Sequence, residues 1–211
     1  MPAPPPTDLV RIEGFHALKH ALRFGAEIVE VRGDREQVEA LAAALAPDLE
    51  LPPMEPGEEV VAFARRPAFD LDQALARPGP VIFLEEPRHL GNLGAAIRVA
   101  AAADAAAVLT SGTSDPWHPH AIRGAAGLQF ALPVGRVDAP PSGRELIAID
   151  PEGEERAAPR HAILAFGGER YGLSETVKAR ADARIRIPMR AGVSSLNLAT
   201  AVAAVLYAGS G

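Results

Sequence analysis

PVIFLEEPRHLGNLGAAIRVAAAADAAAVLT, residues 80–110, decides how the chain is read. It opens on a continuous apolar run, Val81 to Leu84, of the kind found in strands buried on both faces. GNLGAAIRVAAAAD follows as a predicted helix, and AAAVLT as a second buried strand. Further strands are predicted at LPVGRV, ELIAID, HAILAFG and ARIRIPM. Strands alternating with helices indicate an α/β fold with a mostly parallel sheet covered on both faces.

Upstream, the Pro–Gly break ARPGP at 76–80 separates a smaller α/β unit. There GFHALKHALRFG reads as a helix ended by Gly25, AEIVEV as a strand, REQVEALAAALA as a helix and EEVVAFA as a strand, with proline-rich LPPMEPG before the last. The expected organisation is therefore a domain over residues 1–75 and a larger one over 80–211. One segment resists. RVDAPPSGRELIAID leaves only seven residues between two strands, and a parallel crossover needs roughly a dozen. Either the two strands are not parallel neighbours, or one of them is wrong.

Composition removes several function classes. The 211 residues include no cysteine, which excludes disulfides, thiolate metal sites and cysteine nucleophiles. The start, MPAPPPTDLV, lacks the basic and apolar regions of a signal peptide, and no apolar run reaches membrane-spanning length; a cytoplasmic protein without membrane contact is expected. The net charge of −6 argues against a general nucleic-acid coat. It sits in the first 80 residues, with 8 basic against 14 acidic side chains, while residues 81–211 carry 13 of each.

Three polar segments each follow a predicted strand. In EEPRHLGNLGAAIRVA, a Gly-rich turn between strand and helix suggests a phosphate or dinucleotide site, with the backbone at Asn92 and Gly94 near the substrate. The segment lacks both G-x-G-x-x-G and a P-loop lysine, and Arg98 in its helix reads equally well as a solvated side chain. In LAFGGERYGLSE, glycines and Glu169 close a strand expected deep in the sheet; a surface turn is the plainer reading, a ligand loop the sharper one. The third, IPMRAGVSSLNLATAVAAVLYA at 187–208, is a helix apolar on nearly every side, entered through Pro, Gly, Ser and Asn. Capping explains one or two of those residues, not all of them.

In this order the three segments resemble the SpoU (TrmH) branch of the SPOUT superfamily, S-adenosylmethionine-dependent RNA 2′-O-ribose methyltransferases. GNLGAAIR matches the family's first motif, FGGERYGLS the second and IPMRAGVSSLNLATA the third, and SDPWHPHAIRGAAG fits a segment between the first two. The likeness runs from about residue 80 to the C-terminus; the N-terminal unit is more loosely similar to the L30e-like substrate-binding domain of many members. The short link after RVDAPP departs from the family's longer helical connection.

The resemblance implies a C-terminal trefoil knot and a donor, S-adenosylmethionine, held by Gly167, Gly168, Ile187, Met189 and Leu196. It makes Arg98 the central catalytic residue, with Asn92, Glu169, Ser195 and Asn197 shaping the site, and Arg123 and Arg170 as RNA contacts. An arginine is effectively always protonated, so a phosphate clamp that polarises the hydroxyl suits Arg98 better than a general base. The partners implied are RNA, ribosomal slightly ahead of transfer RNA, and a second copy of the chain through the methyltransferase domain. The alternatives are a SPOUT-like protein that binds RNA without catalysis and a nucleotide-dependent oxidoreductase, the latter disfavoured by the missing G-x-G-x-x-G. No metal is expected: His16 and His20 have the spacing of a ligand pair but no third ligand accompanies them. His118 and His120 read as polar residues of an exposed loop, and Trp117 either stacks on a base or packs locally.

Overall fold

The computed structural model describes residues 8–45, 47, 51–52, 54–168, 170–193 and 195–208. The first part is a four-stranded sheet in the order β1-β4-β2-β3, made by β1 (Leu9–Glu13), β2 (Ile28–Arg32), β3 (Met54–Glu55) and β4 (Val61–Arg65). Helices α1 (Phe15–Arg23) and α2 (Arg35–Leu45) accompany it. Strand β4 runs antiparallel to both β1 and β2. Val10 and Ile12 pair with Ala64 and Ala62, and all four are buried, as alternation on one face requires.

The larger sheet is parallel throughout, in the order β10-β8-β9-β5-β6-β7. Its strands are β5 (Val81–Leu84), β6 (Ala107–Thr110), β7 (Val134–Arg136), β8 (Leu146–Glu154), β9 (Ile163–Phe166) and β10 (Ala183–Ile185). Its helices are α3 (Leu71–Ala76), α4 (Leu90–Ala102), α5 (Pro119–Gly124), α6 (Glu175–Arg180) and α7 (Leu198–Ala208). All residues of β5, β6 and β9 are buried, because both faces are covered. Side chains of alternate parity divide between them: Ile82, Leu84, Val108 and Leu164 lie in one cluster, Val81, Phe83, Leu109 and Ile163 in the other. Leu198 and Val202 of α7 join the first, Ala74 of α3 and Val177 of α6 the second.

The short link finds its explanation here. Strands β7 and β8 are both present and both parallel to the rest, but β6, β5 and β9 stand between them. No adjacent crossover is needed, and residues 137–145 run across one face of the sheet instead. Arg144 fixes that crossing: Nε donates to Leu75 O at 2.9 Å, Nη1 to Gly79 O at 2.6 Å, and Nη2 to Leu75 O and Arg77 O. Its planar fork thus gathers carbonyls at the end of α3.

The smaller unit shares its core with the larger one. Val10, Ile12, Leu18 and Leu22 belong to the same apolar cluster as Ile122, Ala125 and Ile82. Polar ties reinforce the seam: His20 Nδ1 donates to Ala126 O at 2.7 Å, and Arg123 pairs with Glu13 at 3.2 Å. Gly127 sits where a Cβ would meet Ala17 O at 2.3 Å, so α1 approaches that turn backbone to backbone.

Candidate active site

Strand order creates a switch point. From β5 the chain moves one way, through α4 to β6 and then β7, while β9 and β8 lie on the other side. Open α/β sheets bind ligands outside the carboxyl ends of the strands at such a point. A cavity of about 490 Å³ lies beside it, at the carboxyl ends of β8 and β9, within the usual size of small-molecule sites. Gly167 and Gly168 after β9, Ile187 and Met189 after β10, and Ser195 and Leu196 ahead of α7 all line it. The residues that the resemblance marks as donor contacts are therefore brought together, with Ser195 beside them.

The loop at 167–174 has a chemically fixed base. Gly172 N–H donates to Gly168 O at 3.1 Å across an antiparallel bridge. A Cβ at Gly167 would stand 1.9 Å from the Gly172 carbonyl carbon, so the fold-back requires glycine. Ser174 anchors the far end: its N–H donates to Glu85 Oε2 at 2.7 Å and its Oγ to Glu85 Oε1 at 2.6 Å. The same Oγ accepts from Val177 N–H at 3.2 Å as the cap of α6. Two hydrogen bonds to one carboxylate are of the stronger, charge-assisted kind.

Asn197 answers the question its segment raised, because it does two jobs. Its Oδ1 accepts from Ala199 N–H at 3.0 Å, capping α7, while Nδ2 donates to Asn92 Oδ1 at 2.9 Å. The asparagines of the first and third motifs are thereby joined.

Other expected residues stand apart. Arg98 is exposed and does not line the cavity. Six residues beyond Asn92, it lies about 9 Å along the α4 axis and about 120° around it. Glu169 falls outside the described residues. Arg170 is exposed on the cavity wall, and Arg123 is engaged with Glu13. The glycine-rich turn also changes character, since GNLG belongs to the first turns of α4 and not to the loop before it. Gly94 is buried under α5, where a Cβ would meet Ala121 O at 2.2 Å and Ala125 N at 2.9 Å. It permits a close helix crossing and does not offer backbone to a substrate.

An ion pair on the cavity wall was not foreseen. Asp150, 4% exposed, accepts Lys178 Nζ at 3.2 Å, and Lys178 also reaches Glu175 at 3.2 Å. Hydrogen bonds to Glu175 and then Asp150 push the Lys178 pKa above the ordinary lysine value. The only trace in the sequence is an acidic residue closing the apolar run ELIAID. The loop expected around His118 is helix α5, with His118 Nδ1 accepting from His120 N–H at 3.1 Å at its start. Trp117 is buried, donates to Val134 O at 3.2 Å and packs edge-on against Phe130, so it is a core residue.

The sequence profile of the SpoU rRNA Methylase family matches residues 79–207. The chain is 32% identical to a 23S rRNA (uridine(2479)-2′-O)-methyltransferase of Streptomyces viridochromogenes, over 78% of this chain and 65% of that protein. It is 30% identical to the 23S rRNA (guanosine(2553)-2′-O)-methyltransferase RlmP of Bacillus subtilis, over 64% of this chain and 60% of RlmP. The chain thus spans less than two thirds of these relatives' length. Its fold matches the crystal structure of the SpoU methyltransferase AviRb from Streptomyces viridochromogenes in complex with the cofactor AdoMet. That match has a TM-score of 0.80 and 25% identity, covering 96% of this chain and 89% of AviRb. With the family profile spanning both strands of the switch point and the three loops that line the cavity beside it, this chain belongs to the SpoU rRNA Methylase family.

Proposed function

We propose that the chain transfers a methyl group from S-adenosylmethionine to a ribose 2′-hydroxyl of RNA, ribosomal RNA before transfer RNA. The observation that carries this reading is the cavity at the carboxyl ends of β8 and β9, beside the switch point, where the loops of the second and third motifs meet. Its chemistry fits the donor. Ile187, Met189 and Leu196 offer apolar surface, Gly167 and Gly168 expose backbone, and Asp150, Lys178 and Ser195 supply polar groups. When bound, S-adenosylmethionine supplies an electrophilic methyl carbon, so the protein's task is chiefly alignment.

Asn92 and Asn197, already joined, are assigned to the ribose edge with Ser195. Arg98 is assigned to a phosphate beside the target ribose, where its fixed charge and planar fork suit an oxyanion. Because Arg98 faces outward from α4 and not into its own cavity, we infer a homodimer through the outer sides of α4 and α7, which offers Arg98 to a neighbouring copy. Support comes from α7, whose sequence is apolar nearly all round and which leaves Tyr207 54% exposed. Light scattering is expected to return twice the chain mass at tens of micromolar; a monomer mass overturns the dimer.

The knot is inferred too: Ile187, Met189, Ser195 and Leu196 line one cavity with Gly167, Gly168 and residues 170–173, and α7 then packs on β9 and α4. We assign residues 1–75 as an L30e-like RNA-binding domain, supported by their separate sheet, and a cytoplasmic location. Among the described residues no helix is long and apolar enough to cross a membrane. Calorimetry with S-adenosylmethionine is expected to give roughly micromolar affinity, about −8 kcal/mol. Folded protein that binds neither the donor nor its demethylated product refutes the reading. Labelled methyl groups should then appear on ribose when ribosomal RNA is supplied.

A further inference from the structure

Tyr171 is the most exposed large apolar side chain among the described residues, at 73%. Two guanidinium groups lie over its ring: Arg170, 5.2 Å from the centroid, and Arg88, 5.8 Å away, which arrives from the segment leading into α4. This trio stands on the rim shared by two cavities. Arg170 and Tyr171 line the 490 Å³ cavity beside the switch point, and all three line a neighbouring one of about 230 Å³. The smaller volume falls below the usual range for a whole ligand and suits one flat fragment.

Its electrostatics narrow the choice. Glu85 and Glu86 line the same small cavity, so the two arginine charges are locally opposed by two carboxylates. A phosphate gains little there, whereas a neutral, polarisable ring gains both the aromatic face and the guanidinium planes. The seat is also preorganised. The Gly168–Gly172 bridge and the Glu85–Ser174 hydrogen bonds fix the base of the loop that carries Tyr171, which lowers the entropy lost on binding.

We propose that Tyr171, flanked by Arg88 and Arg170, is a stacking platform for an unpaired base of the RNA substrate, next to the ribose presented to the switch-point cavity. The substrate is then a loop, bulge or single strand, since a base inside a helix offers no free face. This rests on the RNA-methylation reading and specifies the class of RNA that reading requires.

The test uses the full chain and a short single-stranded RNA carrying one 2-aminopurine. Binding by the unaltered protein should quench that base, and Tyr171→Ala should weaken binding about tenfold, within the 1–3 kcal/mol typical of base–aromatic stacking, and abolish the quenching. Tyr171→Phe should keep most of both, because the ring and not the hydroxyl is needed. An RNA with an abasic site in place of the 2-aminopurine should bind the unaltered and Tyr171→Ala proteins alike. Because Tyr171 also lines the larger cavity, calorimetry with S-adenosylmethionine should show Tyr171→Ala losing much less donor affinity than RNA affinity, and Tyr171→Phe losing little of either. The proposal is overturned if no quenching occurs, if Tyr171→Ala binds RNA normally, or if Tyr171→Phe is as impaired as Tyr171→Ala. It is also overturned if donor affinity falls while RNA affinity does not, which would make Tyr171 a wall of the donor site. Loss of donor binding by the unaltered protein refutes the methyltransferase reading alone, because the stacking readout involves no methyl transfer.

Discussion

Gly91 and Gly94 sit one turn apart on α4, yet the structure gives them opposite consequences. A Cβ at Gly94 would lie 2.2 Å from Ala121 O and 2.9 Å from both Ala125 N and Gly124 Cα, all backbone atoms that cannot rotate away. A normal carbon–oxygen contact needs about 1 Å more than the first of these, so Gly94→Ala must push α4 and α5 apart by about that much. A gap of that size forfeits a quarter to a half of the dispersion energy at each contact it opens. The crossing is lined by Leu93, Ile97, Ala121, Ile122 and Ala125, all buried. Overpacking of this kind costs 1–3 kcal/mol or somewhat more, against which alanine regains about 1 kcal/mol of helix propensity. A clash with fixed backbone belongs at the upper end of that range, so the net expectation is a loss of about 2 kcal/mol, or about 4–8 °C in Tm for a chain of this size. Gly91 has nothing within 4 Å of its would-be Cβ, so Gly91→Ala should leave Tm unchanged or raise it slightly. Calorimetric melts of both variants, with donor affinity measured well below the transition, make the comparison. Donor affinity should survive in both, because neither glycine lines the switch-point cavity. A Gly94→Ala protein with unaltered Tm but lost activity would refute the packing argument and return Gly94 to the substrate.

Arg98→Ala is expected to leave stability within a few tenths of a kcal/mol while raising the methyl-transfer barrier by about 3 kcal/mol, a hundredfold in rate. Arg98→Lys should be badly impaired as well, and near-normal turnover of either variant, measured with labelled donor, would remove the assignment. Arg144→Ala leaves carbonyls of residues 75, 77 and 79 without their shared donor, so chemical denaturation should show a loss of about 1.5–3 kcal/mol. Lys178→Met should cost about 3 kcal/mol, because Asp150 is left buried without its counter-charge, keeping only the hydrogen bond from Glu152 N–H. The raised Lys178 pKa means that its pairing stabilises the fold below the ordinary lysine pKa and is lost only as pH rises through the higher folded value. Stability falling between pH 6 and 8 by this route would contradict that sign.

The chain's local patterns determined a good deal. Continuous apolar runs marked β5, β6 and β9, since a strand covered on both faces has no polar positions to interrupt it. GNLGAAIRVAAAAD was legible as the helix α4, and the glycine-bearing segments after β9 and before α7 marked the loops that line the cavity. Elements of six residues, such as α3, α5 and α6, are too short for a period to show, and β1 is a five-residue edge strand that alternates without a turn signal. The spatial partners were equally out of reach. Nothing near Asp150 in sequence announces Lys178, and nothing near Gly94 announces Ala121, because those meetings depend on which faces of distant elements pack together. Pro and Gly at 76–80 led to the expectation of a division there, but the shared core that joins α1 and β1 to α5, and α3 to the larger sheet, was not legible. Sequence records how much water each residue is to lose; only the tertiary structure decides against what.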